Sequence, residues 1–404
     1  MRFRRWWLKV LRWFCFFLYW DLETDEKTAM NVNRCKLLLQ DRLSVALTMG
    51  VWALLVFSGC QKPASKEAIG PVFYPKPPDK PRLQFLKSFS GPKDVGVKGP
   101  SGFQKFIIGE PEVEEKIGKP YGIAMFEGKL YVCDVGRRLV EVLDLGNNTF
   151  GYLTKDRRLV NPMSMYIDNG TKYVTDSGAG AVFVFDRNDT LTAILGKELD
   201  IKPLDVVVRE ELCYITDANR NQVVVINKRT GQEITRIGQE GDSEGQFKLI
   251  SDLALDKQGN IYVTDRVKGQ IVKFDKSGVF QRTFGQLGDN IDEFVRPKGI
   301  AVDMEGRIWV ADAATEVVKI LDPEGRLLLF FGLPGNKPGM VNLPAGVKID
   351  YDNVGMFQQY AVPGATLEFL VFVANQYGAN KINVYGFGNF PETNLPLVAE
   401  PAQR

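Results

Sequence analysis

The chain has 404 residues, with 51 Lys and Arg against 49 Asp and Glu, and it contains no histidine. The lack of histidine excludes Ser-His-Asp and Cys-His nucleophile activation as well as histidine-ligated zinc or iron. Residues 1–59 hold nine Lys/Arg and five Asp/Glu, which leaves 42 and 44 for residues 60–404, a net charge of −2. That part lacks the basic excess typical of nucleic-acid-binding domains, so we expect no nucleic-acid partner.

The first 59 residues are typical of a leader rather than of a folded domain. The apolar run Trp13–Trp20 is too short to span a bilayer. From Met30 onward, a positively charged start is followed by the apolar stretch Leu43–Phe57, which has the proportions of a secretory signal. We therefore assign residues 1–59 to a leader and lipoprotein signal peptide, and leave open whether translation starts at Met30.

The signal ends in a motif for lipid attachment. The sequence from Phe57 to Cys60, FSGC, resembles the bacterial lipobox, although leucine is more usual where Phe57 stands. The resemblance implies that Cys60 carries the lipid that holds an exported protein to the membrane. Gln61 follows the cysteine, which favours the outer membrane or the periplasmic face. The alternative is a transmembrane anchor that ends in a chance cysteine. Proline-rich residues 60–81 predict a semi-extended tether.

The remainder of the chain repeats one unit. Two sets of equivalent positions, which we call columns, recur with the period of this unit. Anchor residues begin the first strands at spacings of 42, 41, 47, 47 and 47 residues: Pro120, Pro162, Pro203, Ile250, Pro297 and Pro344. A second column closes the second strands, in the series YVCD, YVTD, YITD, YVTD, WVAD and FVAN: Asp134, Asp176, Asp217, Asp265, Asp312 and Asn375. Such units bury their apolar faces only by stacking on neighbours, and a ring of them leaves few strand edges exposed.

These columns resemble the NHL repeat, with its P-x-G-I-A-V-D start, its Y-V-x-D second strand and its V-x-x-F-D-x-x-G tail. The linker Gly238–Phe247, GQEGDSEGQF, is also similar to that family's inter-repeat segment. The resemblance covers residues 81–390 and implies an all-β, six-bladed β-propeller of four-stranded antiparallel blades. Propeller lyases of the streptogramin and peptidylglycine-amidating kinds are disfavoured, because the resemblance would place histidines in their active sites.

The ring is predicted to close with an N-terminal strand. Arg82–Gly91 looks like the outermost strand of a repeat that has no earlier strands, whereas the sixth repeat stops after three strands. The two deficits match, so we expect the N-terminal strand to complete the last blade. The propeller is accordingly predicted over residues 82–390, with a flexible tail over residues 391–404.

The sixth repeat carries an insert where the others have a tight turn. The segment Asp352–Glu368 is more than ten residues longer than the turn at Met304–Gly306. Long apolar loops in compact folds are often functional, so Met356, Phe357 and Tyr360 form a candidate partner-binding loop. The insert also fits a structural role, in which it folds back over the open end of the propeller.

One column breaks the symmetry of the repeats. Two places after each anchor stand Gly122, Ser164, Asp205, Asp252, Gly299 and Gly346. Asp205 and Asp252 belong to adjacent blades, and Lys298 lies close by topology, so we place a candidate binding site of these three residues at the channel mouth. Asp205 and Asp252 are also the candidate metal ligands, because paired carboxylates suit Ca²⁺. Propellers of the gluconolactonase and regucalcin type bind a divalent ion at the channel mouth with an acidic and amide set, of which this sequence shows only the two aspartates; alternatively, Lys298 pairs with one carboxylate.

Other polar columns favour structural roles. The recurring aspartates that end the second strands are expected to accept backbone N–H bonds, since a catalytic site normally breaks repeat symmetry. Cys133 and Cys213 lie in non-neighbouring repeats, which predicts buried free thiols rather than a disulfide. Basic residues cluster in the loops after the second strands, either for solubility or as a face for an anionic protein or polysaccharide: Arg137, Arg138, Arg220, Arg266 and Lys268.

The sequence thus favours a lipid-anchored cell-envelope propeller that acts as a protein-binding scaffold, with an envelope protein as its partner and no catalytic residues. The alternative is a Ca²⁺-dependent hydrolase of the gluconolactonase and regucalcin type that uses Asp205 and Asp252. No other cofactor is expected, and the sequence identifies no small-molecule ligand.

Overall fold

The computed structural model describes residues 70–97, 116–154 and 158–391. The predicted leader, the start at Met30, the lipidation site Cys60 and the tail beyond Pro391 lie outside these ranges. The chain divides into two units, residues 1–69 and 70–404, and the described residues all belong to the second. None of the helices in the described ranges is long and apolar enough to cross a membrane.

The fold is the predicted six-bladed β-propeller, in which six antiparallel sheets follow one another along the chain. Blade 1 contains β3 (Pro120–Phe126), β4 (Lys129–Asp134), β5 (Leu139–Asp144) and β6 (Thr149–Tyr152). Blade 2 contains β7 (Pro162–Asp168), β8 (Thr171–Asp176), β9 (Ala181–Phe185) and β10 (Leu191–Leu195). Blade 3 contains β11 (Pro203–Arg209), β12 (Leu212–Asp217), β13 (Gln222–Asn227) and β14 (Glu233–Ile237).

Blades 4 and 5 have the same composition. Blade 4 contains β15 (Ile250–Leu255), β16 (Ile261–Asp265), β17 (Gln270–Phe274) and β18 (Phe280–Phe284). Blade 5 contains β19 (Pro297–Val302), β20 (Ile308–Asp312), β21 (Val317–Leu321) and β22 (Leu327–Phe331). Gly306 and Gly325 close two of its hairpins with φ of 83° and 91°, the left-handed conformation that glycine adopts without strain.

Blade 6 joins the two ends of the described chain. It contains β23 (Pro344–Asp350), β24 (Thr366–Asn375), β25 (Ile382–Asn389) and the N-terminal strand β2 (Leu83–Phe89). Strand β2 pairs antiparallel with β25, from Leu83 opposite Phe387 to Phe89 opposite Ile382. This closure is the one that the unmatched strands of the sequence predict.

A fifth strand in blade 6 was missed. Strand β1 (Phe73–Tyr74) pairs with β2, and both of its side chains are buried. The Tyr74 hydroxyl donates a hydrogen bond to the carbonyl oxygen of Gly339 at 2.9 Å. The tether predicted over residues 60–81 is therefore too long at its C-terminal end, because a two-residue strand within a proline-rich segment gives no periodic signal.

The hydrophobic core is divided among the six junctions between blades. Each buried apolar cluster draws its side chains from two adjacent blades. The cluster between blades 5 and 6, for example, packs Trp309 against Phe331, Phe369 and Phe387. This arrangement explains why the strands are apolar on both faces, since every sheet is covered on both sides.

Candidate functional site

The first strands of the six blades, hereafter the inner strands, form a ring around a central channel. Each inner strand contacts the inner strands of both neighbouring blades. In each blade, the pairing between inner and second strand shifts register just after the anchor residue. The residues that follow the anchor therefore have backbone groups free for other contacts. We call the end of the ring where inner strands begin the channel mouth.

The aspartates that end the second strands have the structural role that their repetition predicts. The Oδ1 atom of Asp134 accepts the backbone N–H groups of Lys119 and Gly136, both at 2.9 Å. One amide precedes the inner strand and the other follows the second strand, so the carboxylate joins two loops. The same pattern recurs in four other blades: Asp176, Asp217, Asp265 and Asp312.

Blades 2 to 4 connect to the next blade through a threonine, and we call them the polar half of the ring. Thr216 Oγ1 accepts the N–H of Asp205 at 2.9 Å and donates to the carbonyl oxygen of Ser251 in blade 4 at 3.0 Å. Thr175 and Thr264 make the equivalent bonds. The residues held in this way are the polar members of the asymmetric column: Ser164, Asp205 and Asp252.

Blades 1, 5 and 6 form the glycine half, where the same position is Gly122, Gly299 or Gly346. A Cβ atom at Gly346 would lie 2.3 Å from the carbonyl oxygen of Tyr121 in blade 1, well inside van der Waals contact. At the other two positions it would meet backbone atoms of the next blade at 2.3 and 2.4 Å. Glycine is thus required because inner strands touch backbone to backbone.

Asp205 and Asp252 are buried in the ring rather than open to solvent, with 0% and 5% of their surfaces exposed. Asp205 Oδ2 accepts the N–H of Leu253 at 3.2 Å, and Asp252 Oδ2 accepts the N–H of Ile300 at 3.1 Å. Each carboxylate therefore binds the inner strand of the following blade. The two acids lie close enough for Asp205 to act on Asp252, and both accept hydrogen bonds from the protein backbone.

The positive charge nearest this pair comes from Lys348, in the inner strand of blade 6. Burial alone lowers the pKa of Lys348, but the carboxylates of Asp205 and Asp252 outweigh it and raise that pKa. Burial, followed by the charge of Asp205, raises the pKa of Asp252 well above its ordinary range. We call Asp205, Asp252 and Lys348 the ionic cluster. A side-chain hydrogen bond with Asp205 acts in the same direction on the pKa of Asp252, and Asp205 Oδ1 is buried and has no other hydrogen-bond partner among the described residues.

Lys298 is placed differently from the sequence expectation, because it pairs with neither acid. Its ammonium group donates to Gln376 Oε1 at 2.9 Å and lies 5.9 Å from the ring centre of Tyr121. Only 7% of the residue is exposed. Burial lowers its pKa to about 8, and the positive charges of Arg266, Arg296 and Lys119 act in the same direction. We call these four cations the basic mouth: Lys119, Arg266, Arg296 and Lys298.

Tyr121 separates the basic mouth from the ionic cluster. Its hydroxyl shares a 3.1 Å hydrogen bond with Ser251 Oγ, which joins blade 1 to the opposite blade 4 across the channel. Burial raises the pKa of Tyr121. The charge of Arg266 lowers that pKa, whereas the charges of Asp252 and Asp205 raise it. The buried side chain of Tyr121 therefore crosses the channel at the mouth.

Arg266 differs from the other basic loop residues that the sequence groups with it. Arg137 forms a 3.1 Å salt bridge with buried Glu141, and Arg220 pairs with Asp200 at 3.0 Å. Lys268 donates to three backbone carbonyl groups. The Nε atom of Arg266, in contrast, is shielded from solvent and has no hydrogen-bond partner in the part of the chain that the structure describes. An unmet donor of this kind is unusual in a folded protein.

The opposite end of the channel contains a cavity of about 360 Å³. Its walls are apolar residues of the inner strands of blades 3 to 5, together with Tyr166 and Lys348. Arg209 at its rim is already engaged, because its guanidinium donates to the carbonyl oxygens of Asp256 and Lys257 at 2.9 Å.

The insert of blade 6 is packed onto the propeller. It contains a short helix, α1 (Val354–Phe357), followed by a 3₁₀ turn (Gln358–Tyr360). Phe357 is 1% exposed and packs edge-on against Phe89 and Phe372. Met356 is half-buried, and Tyr360 accepts a bond from the closing strand through Gln84. Of the three partner-loop residues predicted from the sequence, only Tyr360, at 38% exposure, presents a substantial surface.

The two cysteines of the propeller are free and buried, as expected. Burial raises the pKa of the Cys213 thiol to about 12 and raises that of Cys133 further. Neither thiol is therefore a nucleophile at neutral pH. Within the described residues, no three His, Cys, Asp or Glu side chains converge in a way that suits a metal ion.

Comparison with known proteins supports the fold. A family model described as a 6-bladed beta-propeller, DUF5128, matches residues 197–275. Two solved structures from Bacteroides thetaiotaomicron superpose on the propeller. One is a structural genomics protein of unknown function, with 17% identity, a TM-score of 0.54, and coverage of 76% of this chain and 75% of its own. The other is an auxiliary nutrient binding protein, with 14% identity, a TM-score of 0.52, and coverage of 68% and 70%.

A gluconolactonase from Xanthomonas campestris also matches, with 15% identity and a TM-score of 0.49 over 76% of this chain and 89% of its own. At these identities the likeness shows the fold alone. The chain is thus a six-bladed propeller whose activity has to be argued from its own residues.

Proposed function

We propose that this chain is a lipid-anchored propeller of the bacterial cell envelope that binds a protein partner at its channel mouth and catalyses no reaction. The observation that carries the proposal is the basic mouth. Four cations lie there, the largest charge effects on Lys298 come from the other three, and Arg266 Nε lacks a partner among the described residues. Buried charges and unpaired donors destabilise a fold, so we expect such a cluster where a bound ligand supplies the missing hydrogen-bond acceptors.

The acidic residues of the channel support a binding role over a catalytic one. Asp205 and Asp252 accept backbone N–H bonds from neighbouring inner strands, so their oxygens are engaged in holding blades together. Tyr121 and Ser251 lie between them and the mouth. A substrate entering at the mouth would therefore meet cations and hydroxyl groups before it reached a carboxylate.

One observation favours the Ca²⁺-dependent hydrolase as a second candidate. Apart from the side-chain hydrogen bond with Asp252, Asp205 Oδ1 is buried without a partner in the described part of the chain, and a cation would satisfy it. Calcium usually takes six to eight oxygen ligands, however, and Lys348 already provides positive charge near the pair. If the hydrolase proposal is right, Ca²⁺ raises the melting temperature, and replacing Asp205 and Asp252 by asparagine abolishes the rise. An unchanged melting temperature would reject it.

The anchor is a separate part of the proposal and has its own test. Replacing Cys60 by alanine should move the protein from the membrane fraction to the soluble fraction after export. Immunoblots of fractionated cells would measure the distribution, with a Cys35→Ala variant as the matched control. Continued membrane retention of the Cys60→Ala protein would show that lipid on this cysteine is not the anchor.

Partner binding is tested by affinity purification from crosslinked cells, followed by mass spectrometry. The double variant Lys298→Gln, Arg266→Gln should lose envelope proteins that copurify with the wild type. Lys276→Gln is the control, because this exposed lysine lies in a hairpin of blade 4 at the opposite end of the ring. If the same envelope proteins copurify with the double variant, the basic mouth is not where they bind.

A further inference from the structure

We infer that the basic mouth is a binding site for one anionic group, a carboxylate or a phosphate, presented by the ligand of this propeller. The inference rests on the proposed binding function and specifies its chemistry. It follows from the geometry of Tyr121 and Lys298, at the start of two inner strands, and of Arg266, just after the second strand of blade 4. Neither the comparisons nor the repeat pattern assigns a ligand to these residues.

Lys298 is positioned to donate hydrogen bonds into the mouth. Its ammonium group has three N–H donors, and the described residues provide one acceptor for them, Gln376 Oε1 at 2.9 Å. Lys298 is more than nine-tenths buried, so water has little access to the other two. A bound anion would accept the remaining donors in charge-assisted bonds, which are roughly twice as strong as neutral ones.

Arg266 provides the second, independent indication. It follows the structural aspartate Asp265, and its backbone N–H is fixed by the carbonyl oxygen of Leu249 at 3.0 Å. Its Nε donor is shielded and unpaired, in contrast to Arg137 and Arg220, which are ion-paired. Arginine binds carboxylates and phosphates through two parallel N–H groups, and an anion that uses Nε must displace the groups that shield it.

Tyr121 and Lys119 limit how far an anion can enter the channel. The hydrogen bond between Tyr121 and Ser251 spans the channel at 3.1 Å, so an anion stays above it and apart from the buried acids. Lys119 lies at the rim with its ammonium group 5.5 Å from the ring centre of Tyr377. The two buried donors, Lys298 and Arg266 Nε, thus suit a single small charged group, at the end of a side chain or on a sugar, rather than a broad charged surface.

The ligand chemistry is tested by isothermal titration calorimetry on the detergent-solubilised full chain. Glucuronate and inorganic phosphate are the two anionic probes, and glucose is the neutral control. We expect one or both anions to bind with one-to-one stoichiometry and with an affinity that falls as salt rises. Lys298→Gln and Arg266→Gln should each weaken binding by about 10- to 100-fold, the range for a hydrogen bond to a charged group. Lys276→Gln should leave binding unchanged.

A pH series separates a direct role of Lys298 from a structural one. The lysine must be protonated to hold the anion, and its pKa in the free protein is about 8. Affinity should therefore be highest below pH 8 and fall above it. In Lys298→Arg the fall should disappear, since arginine stays charged throughout this range. The other groups around Lys298 are Gln376, Tyr121 and the three remaining cations of the mouth, and they are the same in both proteins.

The results that would overturn the inference are clear. Absence of binding by both anions, binding that survives both glutamine variants, or identical pH profiles for wild type and Lys298→Arg would each do so. Circular dichroism melting curves verify that the variants are folded. Failure here is distinct from failure of the proposed function, because partner capture in cells is measured separately. Anion binding without any captured protein would reject the scaffold and leave the site in place.

Discussion

Neighbouring inner strands contact each other in different ways in the two halves of the ring. In the polar half, Thr175, Thr216 and Thr264 bridge neighbouring inner strands with a hydroxyl group. In the glycine half, the strands touch directly, because Gly122, Gly299 and Gly346 have no Cβ. The comparison shows that a polar residue near the channel mouth occurs where a threonine supports its backbone. The ionic cluster and the repeat asymmetry therefore belong to one structural arrangement.

The largest expected effect lies in the glycine half, where the ring closes. Phe357→Ala should destabilise the protein by about 3–5 kcal/mol, the range for removing a buried phenylalanine, because this ring packs between Phe89 of the closing strand and Phe372. Urea denaturation would measure the loss. Tyr360→Ala is the control and should cost far less, since Tyr360 is 38% exposed. Equal losses would show that the insert does not hold the closure through Phe357.

A methyl group added in the glycine half should lower the stability of the protein strongly, although by less than Phe357→Ala. Gly346→Ala should lower the free energy of unfolding by about 2–3 kcal/mol, a typical cost of overpacking, because its Cβ would lie 2.3 Å from the Tyr121 carbonyl oxygen. Gly151→Ala is the matched control, since a Cβ there meets nothing within 4 Å. If both variants have the same stability, direct contact between inner strands is not what requires glycine.

Removing one hydroxyl in the polar half should have a smaller effect. Thr216→Val keeps the shape but loses the bonds to the Asp205 N–H and the Ser251 carbonyl oxygen, which should cost about 1–2 kcal/mol. Thr216→Ser should recover most of it, because the hydroxyl returns. Thermal unfolding followed by circular dichroism would compare the three proteins. A serine variant as unstable as the valine variant would refute the role of the hydroxyl.

The smallest predicted effect concerns the bond that joins the halves across the channel. Tyr121→Phe removes the hydroxyl that bonds to Ser251, and the expected cost is about 1 kcal/mol, as for an average hydrogen bond. Ser251→Ala should have a similar effect, and the double variant should be less than additive because both changes remove one interaction. Full additivity in denaturation experiments would mean that the two side chains act independently.

Much of the fold was accessible from the sequence because the repeat imposes it. Six anchors and six second-strand endings fix the blades, and the unmatched strand at Arg82–Gly91 fixes the closure. Strand β1 was not predicted, because a strand of two residues is too short to show a periodic pattern of apolar residues. The structural role of the repeated aspartates was also predictable, since a loop that recurs in every blade needs the same backbone acceptor in every blade.

Only part of the candidate site could be predicted from the sequence. Asp205 and Asp252 were found because they break a glycine column, but Lys348 was overlooked although it stands in a column that is otherwise small, apolar or aromatic: Ala124, Tyr166, Val207, Ala254 and Ala301. The pairing of Lys298 with Gln376, and of Tyr121 with Ser251, joins residues 78 and 130 positions apart. Repeat spacing gives the blade of each residue but not the direction of its side chain. A correlated signal was present, since threonine precedes the structural aspartate in blades 2–4 alone.

The proposed binding face is tested most directly by photo-crosslinking in cells from a single position at each end of the ring. A photoreactive phenylalanine analogue at Tyr377, which is 56% exposed beside the mouth, should capture an envelope protein. The same analogue at Met304, 60% exposed in a hairpin at the opposite end, should capture little. We predict that the Tyr377 adduct disappears in the Lys298→Gln, Arg266→Gln background. Capture only at Met304, or adducts unaffected by the double variant, would contradict binding at the mouth.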